Sequence, residues 1–250
     1  MNLLSNTSQF HQLKQMITRF MMTYKFALDE METKIEILKE EFQMLHDYNP
    51  IEHTKSRLKS PESIMNKLMR KNLDISMPSI KENIRDIAGL RITCSFISDI
   101  YLIRDMLKGQ SDLKILEMKD YIKNPKPNGY QSMHMLIEVP VFLSDRVEQV
   151  CIEVQIRTIA MDFWASLEHK IFYKYNEAVP DRLVQELKAA ADSVTALDRQ
   201  MERLQQEMSE IKEGNLQEAE EQFRLLQIDD QKFPIPLALL EMIGDKSGTD

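Results

Sequence analysis

Two long helical patterns frame this chain and limit the folds that it can adopt. Residues 8–47 contain neither proline nor glycine, and their apolar side chains recur at spacings of three and four residues. Residues 181–213 repeat this spacing in a more highly charged segment. Such spacings place the apolar side chains on one side of an α-helix. We therefore predict one long amphipathic helix in each segment, and each apolar stripe must be covered by a partner.

The first helix is expected to end at Asn49 and Pro50, because the residue before a proline avoids the helical conformation. We expect the second helix to pack on the first helix or on another subunit. After a break at Gly214 and Asn215, residues 216–228 are predicted as a shorter helix, and residues 245–250 as a disordered tail. The apolar stripe of the second helix consists of Leu183, Leu187, Ala190, Val194, Leu197, Met201, Leu204, Met208 and Ile211.

Between these helices the chain alternates between strand and helix patterns. Strands are predicted at 90–96, 113–122, 132–139 and 147–157, from apolar and polar alternation or apolar character. Helices are predicted at 60–71, 99–108 and 159–174. The combination predicts an α+β fold with a sheet of at least four strands, flanked by helices.

Charge is distributed unevenly along the 250 residues. The net charge of −8 argues against a general nucleic-acid binder, yet residues 53–72 carry six lysines and arginines against one acid. The N-terminus lacks the continuous apolar core of a signal peptide, and no apolar run is long enough to cross a membrane. We therefore expect a cytoplasmic protein with a local cationic patch, which suits a small polyanion.

The cationic patch has the density that a triphosphate requires. Arginine forks pair bidentately with phosphate oxygens, and no glycine-rich phosphate loop occurs in the sequence. Side chains rather than backbone amides must therefore hold the phosphates. The cations concerned are Arg57, Lys59, Lys67 and Arg70.

Two acids lie near strand positions that suit a metal. In the strand 147–157, alternation places Glu153 on the polar side, and Asp86 comes just before another strand. Two carboxylates on neighbouring strands could hold Mg²⁺ together with phosphate oxygens. A strand that merely faces solvent would show the same alternation, and the sequence leaves both interpretations open.

A stiff turn follows at residues 125–129, where Asn128 and Gly129 are typical of a tight turn. Tyr130 comes directly after it, beside Lys126 and His134. An aromatic ring at this place could pack in the core or stack on a nucleic-acid base. The histidine could likewise be structural or contact a phosphate, and both alternatives remain open.

Three motifs in order resemble the RelA/SpoT-type alarmone synthetases over about residues 45–176. They are Asp86-Ile-Ala-Gly-Leu-Arg91-Ile, Asn124-Pro-Lys-Pro-Asn-Gly-Tyr-Gln-Ser-Met-His134 and Glu153-Val-Gln-Ile-Arg-Thr158. The terminal helices resemble the small alarmone synthetases, and residues 53–60 are similar to the RelP branch. The resemblance implies a mixed β-sheet synthetase core of nucleotidyltransferase-like fold at residues 48–176. It also implies an N-terminal helical region at 1–47, C-terminal helices for oligomerisation at 177–230, and a tail at 231–250.

The family implies transfer of pyrophosphate from ATP to the ribose 3′-hydroxyl of GTP or GDP, giving AMP and pppGpp or ppGpp in the stringent response. By resemblance, ATP is bound by Arg57, Lys59, Lys67, Arg70 and Arg91, and Mg²⁺ by the catalytic acids Asp86 and Glu153, with Glu153 also the candidate base. The acceptor nucleotide is bound by Tyr130, Lys126, His134, Gln155, Lys119 and Asp162, with Tyr130 stacking on guanine.

Two of these positions depart from the family pattern. Lys119 stands where arginine is common, which keeps the charge and loses the fork. Asp162 stands where some relatives have asparagine, so it can accept from guanine N1 and N2 but cannot donate to O6.

The resemblance further implies a homo-oligomer, a tetramer, and no hydrolase activity, because no His-Asp hydrolase motifs precede the synthetase motifs. RNA binding is allowed by the local cations but nothing indicates it. The alternative function is a catalytically inactive nucleotide- or RNA-binding regulator that retains the fold.

Overall fold

A mixed sheet forms the centre of the protein in a computed structural model that describes residues 3–46, 48–172, 180–214, 225–228 and 231–234. The strands of the central sheet are β1 (Ile51–Leu58), β2 (Ala88–Cys94), β3 (Lys114–Asp120), β4 (Met133–Phe142) and β5 (Val147–Thr158). Within the described residues they pair in the order β1-β2-β5-β4-β3. Only β2 and β5 run parallel to each other. The predicted α+β class and mixed sheet are confirmed.

Helices flank this sheet and place its two faces in different environments. They are α1 (Leu3–Leu45), α2 (Pro61–Arg70), α3 (Met77–Asn83), α4 (Ile97–Gly109), α5 (Ile159–Phe172) and α6 (Asp181–Gly214). The predicted N-cap Ser60 accepts a hydrogen bond from the Ser63 amide at 3.2 Å and opens α2 as expected. The long helices expected at both ends of the core are both present.

The core lies between one face of the sheet and the helix α1. Ile152, Val154 and Ile156 of β5 are fully buried, as the alternation predicts. On α1 the predicted stripe is buried from Tyr24 to Leu38. Each aliphatic side chain buried in this way stabilises the fold by roughly 1.5–3 kcal/mol relative to exposure. The opposite face of the sheet, called here the polar face, carries Arg91, His134, Glu153, Gln155 and Arg157.

Three parts of the secondary structure differ from the expectation. The edge strand β1 was not predicted, because six consecutive exposed positions give it no alternation of apolar and polar residues. The short helix α3 was also missed. The predicted helix 216–228 is wrong at its end, where Leu225–Ile228 form a strand, β6, paired with β7 (Gln231–Pro234). A short apolar run fits either element, and here cross-strand pairing satisfies the backbone.

Other parts of the sequence prediction lie outside the described residues. These are positions 216–224, the last two residues of the helix predicted at 159–174, and the tail at 245–250. Among the residues described, no helix is both long enough and apolar enough to cross a membrane.

The helix α6 packs on the core through the first half of its predicted stripe, where Leu187 and Val194 contact Trp164, and through polar residues further along. Its main contacts within the described residues are with α5 and α4, not with α1. From Asp198 onward the inward positions are polar, and Glu202 accepts from the amides of Ile97 and Ser98 at the start of α4. The apolar residues Leu197, Met201, Leu204, Met208 and Ile211 are 45–59% exposed. No described residue therefore covers the second half of the stripe.

Asp198 should limit the stability of the protein at neutral pH. Burial raises its pKa to about 6, although Thr158 donates a hydrogen bond to it at 2.7 Å. A carboxyl whose pKa is raised on folding contributes stability below its unfolded pKa of about 4, and this is lost as pH rises through about 6. We expect Asp198→Asn to raise the Tm at pH 7.5 by about 2–4 °C, the shift for about 1 kcal/mol.

Thermal unfolding followed by circular dichroism at pH 7.5 and pH 4 tests this expectation. The gain should vanish at the lower pH, and the exposed Asp192→Asn on the same helix should show no gain at either pH. A lower Tm for Asp198→Asn at pH 7.5 would contradict the prediction.

Candidate active site

The polar face of the sheet brings the predicted donor-side and acceptor-side residues next to each other. Parallel pairing of β2 with β5 sets Gly89 opposite Glu153 and Arg91 opposite Gln155. Antiparallel pairing of β4 with β5 adds His134 opposite Gln155. Because side chains of neighbouring strands in register point to the same side, these groups form one continuous polar surface.

The four cations predicted to hold a triphosphate line a single cleft. This cleft, of about 540 Å³, lies where β1 leads into α2. Its lining consists of Arg57, Leu58, Lys59, Ser60, Ser63, Asn66, Lys67 and Arg70. The structure brings these four cations together, and the missed strand β1 carries Arg57.

A second cavity, of about 250 Å³, adjoins the cleft and contains both predicted acids. It shares Arg57 with the cleft. Its lining is Lys55, Arg57, Asp86, Gly89, Leu90, Arg91, Glu153 and Gln155. The adjacency of Asp86 and Glu153, which the sequence could only suggest, is therefore present.

Asp86 is held by two of the donor-side cations. Its Oδ2 lies 2.6 Å from Lys59 Nζ and 2.7 Å from Lys67 Nζ. Burial alone would raise the pKa of this carboxyl, but the two lysines outweigh it and the pKa is lowered. The group is therefore ionised throughout the neutral range. Its other oxygen, Oδ1, is buried and has no hydrogen-bond partner among the described residues.

The free oxygen of Asp86 shows that these residues fit a divalent cation. An unpaired buried carboxylate oxygen is costly unless a ligand satisfies it. Within the described residues no group of three or more His, Cys, Asp and Glu side chains comes together. Mg²⁺ is commonly bound by one or two carboxylates together with substrate phosphates, and Asp86 and Glu153 supply such a pair.

Glu153 lies at the centre of the polar face, with both oxygens in contact with neighbours. Oε1 is 3.5 Å from His134 Nδ1, and Oε2 accepts from Gln155 Nε2 at 2.9 Å. Burial alone would raise the pKa of Glu153, but the hydrogen bonds from His134 and Gln155 outweigh it, so the pKa is lowered. The carboxylate is thus ionised and oriented before any substrate binds.

The predicted turn lies on the acceptor side and has the expected geometry. The Gly129 amide donates to the Lys126 carbonyl at 2.8 Å, and Gly129 has a φ of +87°. Tyr130 follows with its ring between two cations, 4.7 Å from Lys126 Nζ and 5.1 Å from the Arg157 guanidinium. The ring is half-buried against Trp164 and α6. Part of its surface thus packs and part remains exposed.

Two other residues predicted to bind the acceptor nucleotide, Lys119 and Asp162, lie at different depths in the protein. Lys119 is half-exposed and paired with Glu117 at 2.7 Å, beside His134 across the β3–β4 ladder. Asp162 lies deeper, where its Oδ1 is 3.0 Å from Arg91 Nη1 and 3.2 Å from Arg157 Nη1. Contacts of these two residues with guanine remain predictions.

Two residues of the site were not assigned from the sequence. Arg157 is almost fully buried and contacts Tyr130, Gln155 and Asp162. Its position, two and four residues after Gln155 and Glu153 on the same side of β5, was a signal that alternation could have used. Tyr121 meets the rings of Tyr130 and His134 edge-on, and nothing in its sequence position distinguishes it from a packing residue.

Gly129→Ala should damage the acceptor side while sparing the donor side. A Cβ at Gly129 would lie 2.4 Å from the Ala191 Cβ of α6, and the positive φ disfavours any L side chain. We expect a loss of about 1–3 kcal/mol of stability from the clash and strain. The acceptor KM should rise more than the KM of ATP. Steady-state kinetics and thermal unfolding measure the two effects.

Gly109→Ala is the matched control, because a Cβ there meets nothing within 4 Å. It should leave both KM values and the Tm close to those of the unmodified protein. Equal behaviour of the two alanine variants would show that the turn tolerates a side chain and would contradict the prediction.

Known proteins are similar to this chain in both sequence and fold. Residues 56–178 match the family described as "Region found in RelA / SpoT proteins". The chain is 57% identical over 188 residues to the GTP pyrophosphokinase YwaC of Bacillus subtilis. The aligned region covers 75% of this chain and 90% of that protein.

Solved structures agree with this match. The small alarmone synthetase 2 from Bacillus subtilis has a TM-score of 0.70 and 55% identity, covering 76% of this chain and 98% of that one. The small alarmone synthetase 1 from the same organism, bound to its product pppGpp, has a TM-score of 0.71 and 34% identity, covering 77% and 98%. The chain therefore belongs to the RelA/SpoT family, within which its sequence and fold are similar to those of the small alarmone synthetases.

Proposed function

We propose that this protein is a (p)ppGpp synthetase that transfers the βγ-pyrophosphate of ATP to the 3′-hydroxyl of GTP or GDP. The observation that carries the proposal is the shared cavity of Asp86 and Glu153, which adjoins the cationic cleft through Arg57 and reaches Gln155 on the polar face. A solved relative with pppGpp bound supports the same chemistry. Two adjoining subsites with carboxylates between them are what a reaction between two nucleotides requires.

The donor side holds the triphosphate in this proposal. Arg57, Lys59, Lys67, Arg70 and Arg91 offset the negative charge that develops on the phosphoryl oxygens. Lys59 and Lys67 are already oriented by Asp86, so their ammonium groups need little reorganisation when phosphates bind. This pre-organisation is where most of the electrostatic stabilisation should arise.

On the acceptor side, Tyr130 stacks on guanine, while Lys126, Gln155, His134, Lys119 and Asp162 complete the subsite. The 3′-oxygen attacks the β-phosphorus of ATP in line, the bond from that phosphorus to the α,β-bridging oxygen breaks, and AMP leaves. The hydroxyl proton passes to the Glu153 carboxylate. A bound Mg²⁺ would offset charge on the phosphates and lower the pKa of the attacking hydroxyl. Asp86 and Glu153 are the residues that would hold it.

Product formation is the direct test of this function. The full chain is incubated with ATP, GTP and Mg²⁺, and the nucleotides are separated by anion-exchange chromatography. Equal amounts of AMP and pppGpp are expected, with ppGpp when GDP replaces GTP and no product when Mg²⁺ is chelated. Nucleotide binding without product under varied metal and pH would instead favour the inactive regulator.

We also propose that the chain forms a tetramer through the exposed part of α6 and works in the cytoplasm, where its nucleotide substrates are found. The uncovered residues from Leu197 to Ile211 form an apolar face that a second copy would bury. Exposed apolar residues of α5, including Phe163 and Ile171, add to the uncovered surface. The division of the chain at residues 47 and 176 remains a prediction.

Light scattering at micromolar concentration tests the assembly. A mass near four times the 29.4 kDa of one chain is expected. Leu204→Lys should reduce this mass, because it places a charge in the apolar face, whereas Gln206→Lys at an exposed polar position should not. A monomer for the unmodified chain would defeat the oligomer proposal.

A further inference from the structure

Arg157 is a buried guanidinium at the end of β5 whose hydrogen-bonding capacity is largely used inside the protein. Its side chain is 5% exposed. Nε donates to Ser132 Oγ at 3.4 Å, and Nη1 donates to Asp162 Oδ1 at 3.2 Å. Nη2 donates to both the Tyr130 hydroxyl and Gln155 Oε1, each at 2.6 Å. Two series of hydrogen bonds across the polar face thus begin at one nitrogen atom, Nη2, and are called here the first and second routes.

The first route runs through Tyr130 and His134 to Glu153. Because the Tyr130 oxygen accepts from Arg157, its own hydrogen is free to point to His134 Nε2, 2.7 Å away. A ring nitrogen that accepts carries no proton, so the proton of the neutral ring is assigned to Nδ1. That atom faces Glu153 Oε1 at 3.5 Å. In this assignment the Arg157 contact favours donation by the Tyr130 hydroxyl, and with it the Nδ1-protonated tautomer of His134.

The second route runs through Gln155 to the other oxygen of the same carboxylate. Gln155 Oε1 accepts from Arg157, which fixes the orientation of the amide. Its Nε2 then donates to Glu153 Oε2 at 2.9 Å. Both oxygens of Glu153 are consequently approached by donors whose direction depends on one guanidinium.

We infer that Arg157 is a positioning residue that orients the Glu153 carboxylate through Tyr130–His134 and through Gln155. The inference rests on the proposed function, in which Glu153 receives the proton of the attacking hydroxyl. Arg157 itself touches neither nucleotide in this assignment. A lysine could not replace it, because one ammonium lacks the planar fork that serves Asp162, Tyr130 and Gln155 together.

Asp162 extends the arrangement to the donor side. Its Oδ1 accepts from Arg157 and also pairs with Arg91, which lines the cavity with Asp86 and Glu153. The aspartate therefore pairs with two guanidinium groups, one on each side of the site. This gives the position a role that an uncharged asparagine could not perform equally for both arginines.

Two substitutions of Tyr130 separate orientation from stacking. Tyr130→Phe keeps the ring and removes the hydroxyl, so we expect the acceptor KM to stay within about twofold. We expect kcat to fall about tenfold, which is less than the loss of about a hundredfold that a misplacement of about 1 Å can cause. Tyr130→Ala removes the ring as well and should raise the acceptor KM by about tenfold or more. Tyr48→Phe, which loses a part-buried hydroxyl contact to Asp99 away from the polar face, is the matched control and should change neither constant.

A second readout follows the His134 ring without nucleotides or metal. Nitrogen NMR of the histidine side chains distinguishes the two neutral tautomers, and the single substitution His134→Asn assigns the signal. In the unmodified protein His134 should carry its proton on Nδ1. In Tyr130→Phe the Nε2-protonated form should appear, because the acceptor role of Nε2 is no longer required.

Arg157→Lys tests the origin of both routes. We expect kcat to fall about 10- to 100-fold, since both oxygens of Glu153 lose oriented donors, and the Nε2-protonated form of His134 to appear as in Tyr130→Phe. Arg146→Lys, an exposed arginine in the loop before β5, should behave like the unmodified protein. Thermal unfolding identifies variants that are simply unfolded, and Tyr130→Phe then decides the question.

The outcomes distinguish this inference from the proposed function. An unmodified protein that makes no product overturns the function, while the histidine tautomer still reports on the two routes. Normal product formation combined with unchanged kcat in Tyr130→Phe and Arg157→Lys overturns the positioning role. An unmodified protein with His134 protonated on Nε2 overturns the first route directly.

Discussion

Glu153→Gln is expected to lower kcat by about a thousandfold, within the range of general-base and metal-ligand losses, while ATP and GTP still bind. The amide keeps the shape of the carboxylate and loses its charge, so neither proton transfer nor metal binding is supported. Lys59, Lys67 and Arg70 should be unaffected by the change, because they line the cleft between β1 and α2 and not the cavity of Glu153. Turnover is measured by AMP release and binding by calorimetry with a non-hydrolysable ATP analogue.

Glu148→Gln provides the comparison on the same strand. It lies at the start of β5, where it pairs with Arg146 outside the cavity, and should retain full turnover. If Glu153→Gln retained the turnover of the unmodified protein, the carboxylate would have no part in the chemistry. Arg157 would then have no catalytic carboxylate to orient, so its positioning role would be contradicted too.

Asp86→Asn is expected to lower kcat by about a hundredfold or more and to raise the Mg²⁺ concentration needed for half-maximal activity. The substitution removes one of the two carboxylates proposed for the metal. It also leaves Lys59 and Lys67 without the oxygen that they share. Binding of metal-free ATP should not weaken, because the phosphates can take the place of the lost negative charge.

A Mg²⁺ titration of activity and calorimetry with ATP in a chelator separate these two effects. Asp105→Asn, at an exposed ion pair on α4, is the control and should leave the titration unchanged. If the Mg²⁺ dependence of activity were unchanged in Asp86→Asn, this aspartate would not bind the metal, and its role would be limited to orienting the two lysines. Weaker binding of metal-free ATP would contradict the electrostatic argument.

Sequence patterns predicted the elements whose residues alternate or recur clearly. Burial of Tyr24, Leu28 and Met31 on α1, and of Ile152 and Val154 on β5, follows directly from helical and strand periodicity. The pattern failed for β1, which is exposed along most of its length. It failed again at 225–228, where a short apolar run fits helix and strand equally.

The stripe on α6 was predicted correctly, but its packing on α1 was not observed among the described residues, and its packing on another subunit stays a prediction. We expected the apolar residues to face α1 or another subunit. Instead, Leu187 and Val194 pack on Trp164 of α5, while Asp198 and Glu202 accept hydrogen bonds from Thr158 and from the start of α4. Periodicity identifies an apolar face without stating what covers it. Among the described residues, the second half of the stripe remains exposed.

The residue types needed for two-nucleotide chemistry, and the order of their motifs, are properties of the sequence alone. They determined the family, the donor-side cations, the two acids and the turn before Tyr130. Alternation also determined that Glu153 and Gln155 share one side of β5, because side chains two residues apart in a strand point the same way.

Tertiary structure alone decided which of these groups meet. Parallel pairing of β2 with β5 placed Asp86 beside Glu153, since strand register depends on contacts between residues that are distant in the chain. The fork of Arg157 became visible only where β4, β5 and α5 converge on it. Hydrogen-bond direction follows from three-dimensional neighbours rather than from composition, which is why the sequence could name Glu153 but could not show what orients it.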